Sequence, residues 1–526
     1  MDQAVNVRYR IHTGVFNLRL FIRLLSAFIG LLLFLPIPSS EFIHSAKDAA
    51  LSPVIVQPAT NEWTKEELLK PPNIIFVLNE TFWDATQLTE LTFSRDPIPF
   101  FHAMQEQFTH GTMLSPMFGG GTANVELEVL TGHSMRFFPE HSIPYETVIK
   151  QPTASLASIL SQQGYTTTAI SPFHGWFFNS FEVYKHLGFS QFISLEYFNP
   201  NEYVGPYIGD YAVTRRIIEE SAESPGADFI FANTMENHYQ YYPGKFKKNT
   251  IDIKGNELSP EAIGIAETFA QGLTAADRML QELVLYFDQV KEPTILVFFG
   301  DHLPSLEKYF VYEEAGYISG EDDPEFLNKM YHVPVLVWSN YLPEEKKETL
   351  HFSPSFLGPY VLSLANRHGS SYTDYLGELS RHMPILPPKS YYEAMNIDEV
   401  VVREYEARQN AILEAEKQAG GQRTSFVLGY GEPRIEEVSP DQVALGDKSR
   451  LTVRGGRFGI GSTVFINGMK LQTMWLSESS LRVKLPKELV VHPGLLELQV
   501  MVMDTKNHIL AESNIVAVPV REQQED

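Results

Sequence analysis

Short apolar runs punctuate the middle of this chain, and most of them end in polar or charged residues. "NIIFVLNETF" runs from Asn73 into Asn79 and Glu80, and "YTTTAISPF" leads to His174. "DFIFANTMENH" leads to Glu236 and His238, "TILVFFGDH" to Asp301 and His302, and "VPVLVWS" follows. Between them lie helical patterns: "ASLASILSQQG", "YAVTRRIIEESAES" and the long segment from Ala266 to Val290. Strands buried on both faces read as continuous apolar runs, and their alternation with helices predicts an α/β fold: a mostly parallel sheet sandwiched by helices. In such sheets ligands gather at the carboxyl ends of the strands. The polar residues of this chain stand there.

A second stretch, "FGGGTANVELEVLTG" from Phe118 to Gly132, sends three glycines into a threonine. Val125, Val129 and Leu130 recur at helical spacing beyond it, with Glu126 one turn on. Thr122 is therefore expected at a helix N-terminus, where free N–H groups and the dipole favour an anion. Taken alone, this is an ordinary threonine cap after a loop.

Taken with the strand ends, it reads differently. Asp301 and His302 leave a hydrophobic strand through Gly300, and Glu80 ends another. A carboxylate, a carboxylate–imidazole pair and a hydroxyl make an oxygen-rich site with one nitrogen. That donor set suits Mn²⁺ or Mg²⁺ somewhat better than Zn²⁺, with Zn²⁺ still open. An ion on the Thr122 oxygen would lower its pKa and ready it for in-line attack, while helix-terminal N–H groups stabilise the transferred charge. The implied chemistry is phosphoryl-type transfer through a covalent threonine intermediate. The chain has 526 residues and no cysteine, which excludes thiolate ligands and a cysteine nucleophile. A formal net charge of −24 argues against nucleic acid and requires a metal ion or local basic groups for any anionic substrate.

The set "NETF", "GGGTANVELEVLTG", "SPFHGWFFNSFEVYKHLGF", "TMENHYQYYPG" and "FFGDHLPS" resembles, in order, the extracellular catalytic domain of lipoteichoic acid synthases. These are phosphoglycerol transferases of the sulfatase-like branch of the alkaline phosphatase superfamily. The resemblance implies that Glu80, Thr122, Asp301 and His302 hold a manganese-type ion, with Thr122 as nucleophile. It implies that His174 and His238 contact the phosphoglycerol group or move protons, and it puts His174, Trp176, Phe178 and His238 on the substrate side. Glu126 reads as a residue that orients the Thr122 loop. The implied substrate is phosphatidylglycerol or a teichoic-acid-like glycolipid, so an anionic lipid and the membrane are the expected partners. The chain departs from the family where a tryptophan and an arginine usually stand; Phe178 and Ser180 occupy those places, which leaves head-group specificity open. Other superfamily activities (phosphoethanolamine transfer, phosphodiester or sulfate hydrolysis) remain alternatives, as does an inactive surface binding protein. "GGGTANVE" lacks the Cys/Ser, Pro and Arg pattern of a usual sulfatase nucleophile.

The ends differ in texture. Residues 1–38 carry Arg8, Arg10, Arg19 and Arg23 before an apolar run from Leu24 to Leu35, the pattern of a signal peptide or a membrane anchor. Without a clean cleavage site after the run, a single uncleaved anchor in the cell membrane is the favoured reading, with the catalytic part extracellular. Residues 39–71 read as a linker and 72–420 as the sulfatase-like segment. Residues 431–520, with short alternating strands and frequent turns, resemble an immunoglobulin-like IPT/TIG β-sandwich. That block is expected to fold separately and to serve a glycan or protein partner, or as a spacer.

Overall fold

Residues 74–78 carry no polar side chain and all are buried, as a strand covered on both faces requires. In the computed structural model, which describes residues 63–522 apart from 256–257, 344–346, 420–424 and 448–449, they belong to β1 (Asn73–Asn79). This strand lies at the centre of a sheet with nine strands among the described residues. The others, in chain order, are β2 (Thr109–Leu114), β3 (Thr166–Ser171), β4 (Gln191–Ser194), β5 (Asp228–Asn233), β6 (Thr294–Gly300), β7 (His332–Ser339), β8 (Thr349–Phe352) and β9 (Val427–Leu428). They are ordered β8-β2-β7-β6-β1-β5-β3-β4-β9. Every strand runs parallel to β1 except β7, which is antiparallel to both β6 and β2.

Four helices set the frame of the site. α1 (Thr122–Thr131) follows the glycine run, and α2 (Asp210–Glu223) precedes β5. α3 (Pro260–Gln289) starts where the Ser259 side chain accepts from Ala262 N and Pro260 takes the first turn, a place where its missing N–H costs nothing. It buries Ile265, Phe269, Leu273, Leu280 and Phe287, a stripe at helical spacing, and packs against α2. α4 (Glu399–Ala419) returns to the end of α1. There Tyr405 Oη donates to Gly132 O at 2.7 Å, and the Gln409 side chain bonds Ser134 N and O at 2.7 and 3.2 Å.

Beyond residue 433 two mostly antiparallel sheets, with one parallel pair at Val443–Ala444, face each other around Leu451, Val453, Val464, Leu481, Leu498 and Val500, all buried. This is the β-sandwich expected from the strand pattern. β9 lies between residues 420 and 431, the bounds expected for the two segments, and completes the large sheet, pairing Val427 with Gln191 and Leu428 with Phe192. All described residues fall in one compact unit. The basic and apolar N-terminal segment, with its expected anchor, lies outside the described residues; among those described, no helix is long and apolar enough to cross a membrane.

Candidate active site

The register of two parallel strands builds the centre of the site. Asn79 of β1 faces Gly300 of β6, so the residues that follow each strand, Glu80 and Asp301, emerge side by side. Both carboxylates and His302 are buried, with at most 3% exposure. Thr81 N donates to Asp301 Oδ1 at 2.9 Å and Ser115 Oγ to Asp301 O at 2.5 Å, which fixes the second oxygen, Oδ2, toward the cleft. Glu80 is held by its own N–H, which donates to Thr234 Oγ1 at 3.0 Å.

Thr122 arrives from the other side. Gly119, Gly120 and Gly121 have φ of 65°, 154° and 95°, and a Cβ on Gly121 would lie 2.2 Å from Met117 Cε. Only glycine takes this path without strain. The path ends at the first residue of α1, whose Oγ1 donates to Asp301 Oδ2 at 2.8 Å and lies 3.4 Å from Glu80 Oε2. The first N–H groups of α1 have no partner inside the helix and border this hydroxyl.

His302 completes the group. Its Nε2 is 3.2 Å from Asp301 Oδ2 and 4.0 Å from Glu80 Oε1. Its Nδ1 donates to Leu303 O at 3.0 Å, which leaves Nε2 as the basic nitrogen, buried and without a hydrogen-bond partner. Donor atoms of Glu80, Asp301 and His302 all lie within 4.8 Å of one another. Burial, and after it the Asp301 carboxylate, pushes the Glu80 carboxyl up to about 8. Two buried carboxylates, an orphaned imidazole nitrogen and a hydroxyl fit a divalent cation, which would relieve each of these costs.

The remaining predicted residues are placed around this group. His238, after β5, binds Tyr239 O at 2.8 Å and Tyr207 Oη at 3.1 Å through Nδ1, and burial lowers its pKa. Glu236, which the sequence put on the same edge, accepts from Asp210 N at 2.8 Å at the start of α2 and does not join the donor set. His174, after β3, donates through Nδ1 to the buried Glu196 carboxylate at 3.3 Å and stacks on Trp176 (5.3 Å, 14°). Neither His174 nor Trp176 hydrogen-bonds to the Glu80–Thr122–Asp301–His302 group. Phe178 sits in a turn with φ 51°, packed on the exposed Phe177 at 4.3 Å. The Ser180 hydroxyl donates to Phe177 O at 2.7 Å and so is used by the backbone. Glu126 accepts from Tyr184 Oη (2.7 Å), Tyr145 Oη (3.1 Å) and Asn233 Nδ2 (2.7 Å), tying α1 to β5 and to the segment after His174.

Lys245 was not singled out from the sequence. Buried to 3% exposure, its Nζ donates to His238 O at 2.5 Å and lies 5.0 to 5.8 Å from the Tyr241, Phe246 and Tyr207 rings. Burial pushes it down to about 8. The signal was the first lysine after the histidine motif, set among aromatic residues in "YQYYPGKF".

A central parallel sheet with a threonine at a helix start, two carboxylates and a histidine at its carboxyl edge is an alkaline phosphatase-like fold. The chain belongs to the Sulfatase family, whose sequence model matches residues 72–367; residues 433–513 match the IPT/TIG domain. A Rhizobium meliloti (strain 1021) protein named for a proposed role in cyclic beta-1,2-glucan modification is 38% identical over 321 residues, 60% of this chain and 49% of that protein. The capsular polysaccharide biosynthesis protein RkpI of the same organism is 27% identical over 249 residues, 45% of this chain and 42% of that protein. The chain thus spans about half the length of the curated relatives it matches. The solved Streptococcus pyogenes phosphoglycerol transferase GacH, in complex with sn-glycerol-1-phosphate, shares the fold at 22% identity and a TM-score of 0.53, over 67% of this chain and 90% of that one.

Proposed function

We propose that this chain is a metal-dependent phosphotransferase that moves phosphoglycerol from a lipid such as phosphatidylglycerol to a hydroxyl acceptor, through an ester on Thr122. The observation that carries this reading is the Thr122 hydroxyl, half-buried at a helix start and hydrogen-bonded to Asp301 beside Glu80 and His302. The name of the solved neighbour supports phosphoglycerol as the group, and the names of the Rhizobium relatives support a glycan as the acceptor. In this reading the N-terminal segment anchors the protein and the catalytic part faces outward.

Glu80, Thr122, Asp301 and His302 would hold the ion. When bound, it neutralises the carboxylates and makes the threonine hydroxyl more acidic. In the first half-reaction the Thr122 O–H bond breaks and Oγ1 forms a bond to phosphorus as the bond to the lipid oxygen breaks. The Asp301 carboxylate, already the acceptor of this hydrogen bond, takes the Thr122 proton as that bond breaks. His238 or His174 delivers a proton to the departing diacylglycerol oxygen. His238 keeps Nε2 outside its bonds to Tyr239 and Tyr207, so that nitrogen is the one available. In the second half an acceptor hydroxyl attacks phosphorus and gives its proton back to the histidine, while the bond from phosphorus to Thr122 Oγ1 breaks and Asp301 returns the proton to that oxygen. The N–H groups at the head of α1 meet the charge that grows on the equatorial oxygens.

The test is mass spectrometry of the full chain after incubation with Mn²⁺ and phosphatidylglycerol. A glycerol phosphate adduct on the peptide containing Thr122, absent from Thr122→Ala, is expected. Turnover by Thr122→Ala at the wild-type rate would rule the mechanism out.

A further inference from the structure

The C-terminal β-sandwich reaches the catalytic edge of the sheet at two places, and both lead to His174. At the first, the 459–461 turn lies backbone to backbone on the 196–198 segment. Gly461 N donates to Glu196 O and Ile460 N to Phe198 O, both at 2.9 Å. A Cβ on Gly459 would stand 2.5 Å from Glu196 O, and one on Gly461 would stand 3.0 Å from Glu196 Cβ. Glycine at both positions admits this approach. The Glu196 carboxylate held there bonds His174 Nδ1 through one oxygen and Ser194 Oγ through the other, at 3.3 and 2.5 Å.

At the second place, a turn of the sandwich covers Trp176. The buried Asp504 accepts from Lys506 N and His508 N, both at 2.8 Å, and so fixes the shape of that turn. Thr505 Oγ1 accepts from Trp176 Nε1 at 3.0 Å, and Lys506 Nζ lies 3.8 Å from the centre of the Trp176 ring. That ring is the one stacked on His174. The segment carrying both is tied to the nucleophile's helix by the Tyr184–Glu126 bond.

An anion entering this edge meets Glu80, Asp301 and a chain of net charge −24. Of the two lysines placed here, Lys245 already donates to His238 O inside an aromatic box. Lys506 is exposed and its ammonium rests on an indole face. An exposed cation on a half-buried ring is held weakly, whereas a phosphate oxygen offers a charge-assisted hydrogen bond. We propose that Lys506 is a phosphate-recognition residue of the catalytic cleft, supplied by the C-terminal β-sandwich, so that the substrate site is complete only with that sandwich docked. This rests on the reading of the cleft as a phosphotransferase site.

The experiment uses the full chain with Mn²⁺ and compares wild type with Lys506→Gln and Lys506→Glu. In mixed micelles of phosphatidylglycerol, KM should rise about tenfold for Lys506→Gln and further for Lys506→Glu. The kcat should stay within about twofold, the mark of binding shared by ground and transition states. Calorimetric titration of glycerol phosphate and of inorganic phosphate into Thr122→Ala, with and without Lys506→Glu, should show the same weakening without any turnover. An unchanged KM and unchanged phosphate binding would overturn the proposal. So would weakened association with phosphatidylglycerol vesicles alongside unchanged glycerol phosphate binding, which would place Lys506 at the lipid surface. The phosphotransferase reading fails separately, if Thr122→Ala turns over normally.

Discussion

Thr122 Oγ1 and Asp301 Oδ2 lie 2.8 Å apart, although 179 positions separate them in the chain. The contact joins the first residue of a helix to the first residue past a strand, and both are rigidly held. A site built on such ends keeps its geometry without help from mobile loops.

The donor set makes a direct prediction. Asp301→Asn and Glu80→Gln each remove a charged ligand while keeping shape, so divalent-ion occupancy should fall by at least about tenfold. Elemental analysis of the dialysed full chain reads this. Saturating ion should raise the melting temperature of wild type and leave Asp301→Asn almost unmoved, because only a bound ion stabilises the fold.

Gly121→Ala should damage the site out of proportion to its size. At φ 95° an alanine is strained by about 1–3 kcal/mol, and its Cβ would overlap Met117 Cε at 2.2 Å. Met117→Ala in the same chain relieves the overlap but not the backbone strain. The double variant should therefore regain part of the lost melting temperature and little of the lost activity. Full recovery of both would show that crowding, and not the backbone, requires glycine here.

Glu126→Gln tests the buried hub behind α1. One carboxylate oxygen accepts from Tyr145 and Tyr184 and the other from Asn233. An amide must turn a donor toward one of these donors, at a cost of about 1–3 kcal/mol. Urea denaturation should show a lower midpoint with an unchanged slope. Tyr184→Phe should cost less when Gln already occupies position 126, since the partner bond is already impaired.

A pH-dependent term comes from His102, whose Nδ1 is 2.7 Å from Asp96 Oδ2 and whose Nε2 is 3.3 Å from Asp84 Oδ2. Hydrogen bonds to Asp84 and Asp96 raise its pKa from 6.5 to about 10. Between those values the folded state binds the extra proton, so the contribution is complete below pH 6.5 and is lost as pH rises through 10. The ring is partly exposed and solvent screens the pair, so the effect is on the order of 1 kcal/mol. Wild type should be more stable than His102→Gln at pH 6, and the two should converge near pH 10 in thermal melts.

The sequence made the centre of this fold readable because β1, β5 and β6 are apolar between their ends and are followed within a few residues by Glu80, by Glu236 to His238, and by Asp301. Buried strands advertise both their existence and their ends. β2, with the sequence THGTML, has no apolar run, and β4 and β9 are short, so nothing local announced them. "VPVLVWS" announced a strand but not its direction; β7 is antiparallel because of where the chain re-enters the sheet. The same holds for side chains. Thr122 stood out beside its glycines, whereas Glu196 meets His174 across 22 positions and His102 meets Asp84 across 18. The bond from Trp176 to Thr505 crosses 329 positions, and no periodicity could disclose it.

The placement of β9 has a consequence for how the protein is made. Synthesis delivers β1, the middle of the sheet, early, and delivers Val427 and Leu428 only after more than three hundred further residues. Until then β4 presents an unpaired row of N–H and C=O groups, an invitation to foreign strands. Chains caught on the ribosome between residues 200 and 427 would be the ones that need a chaperone, and folding would finish from the C-terminus inward.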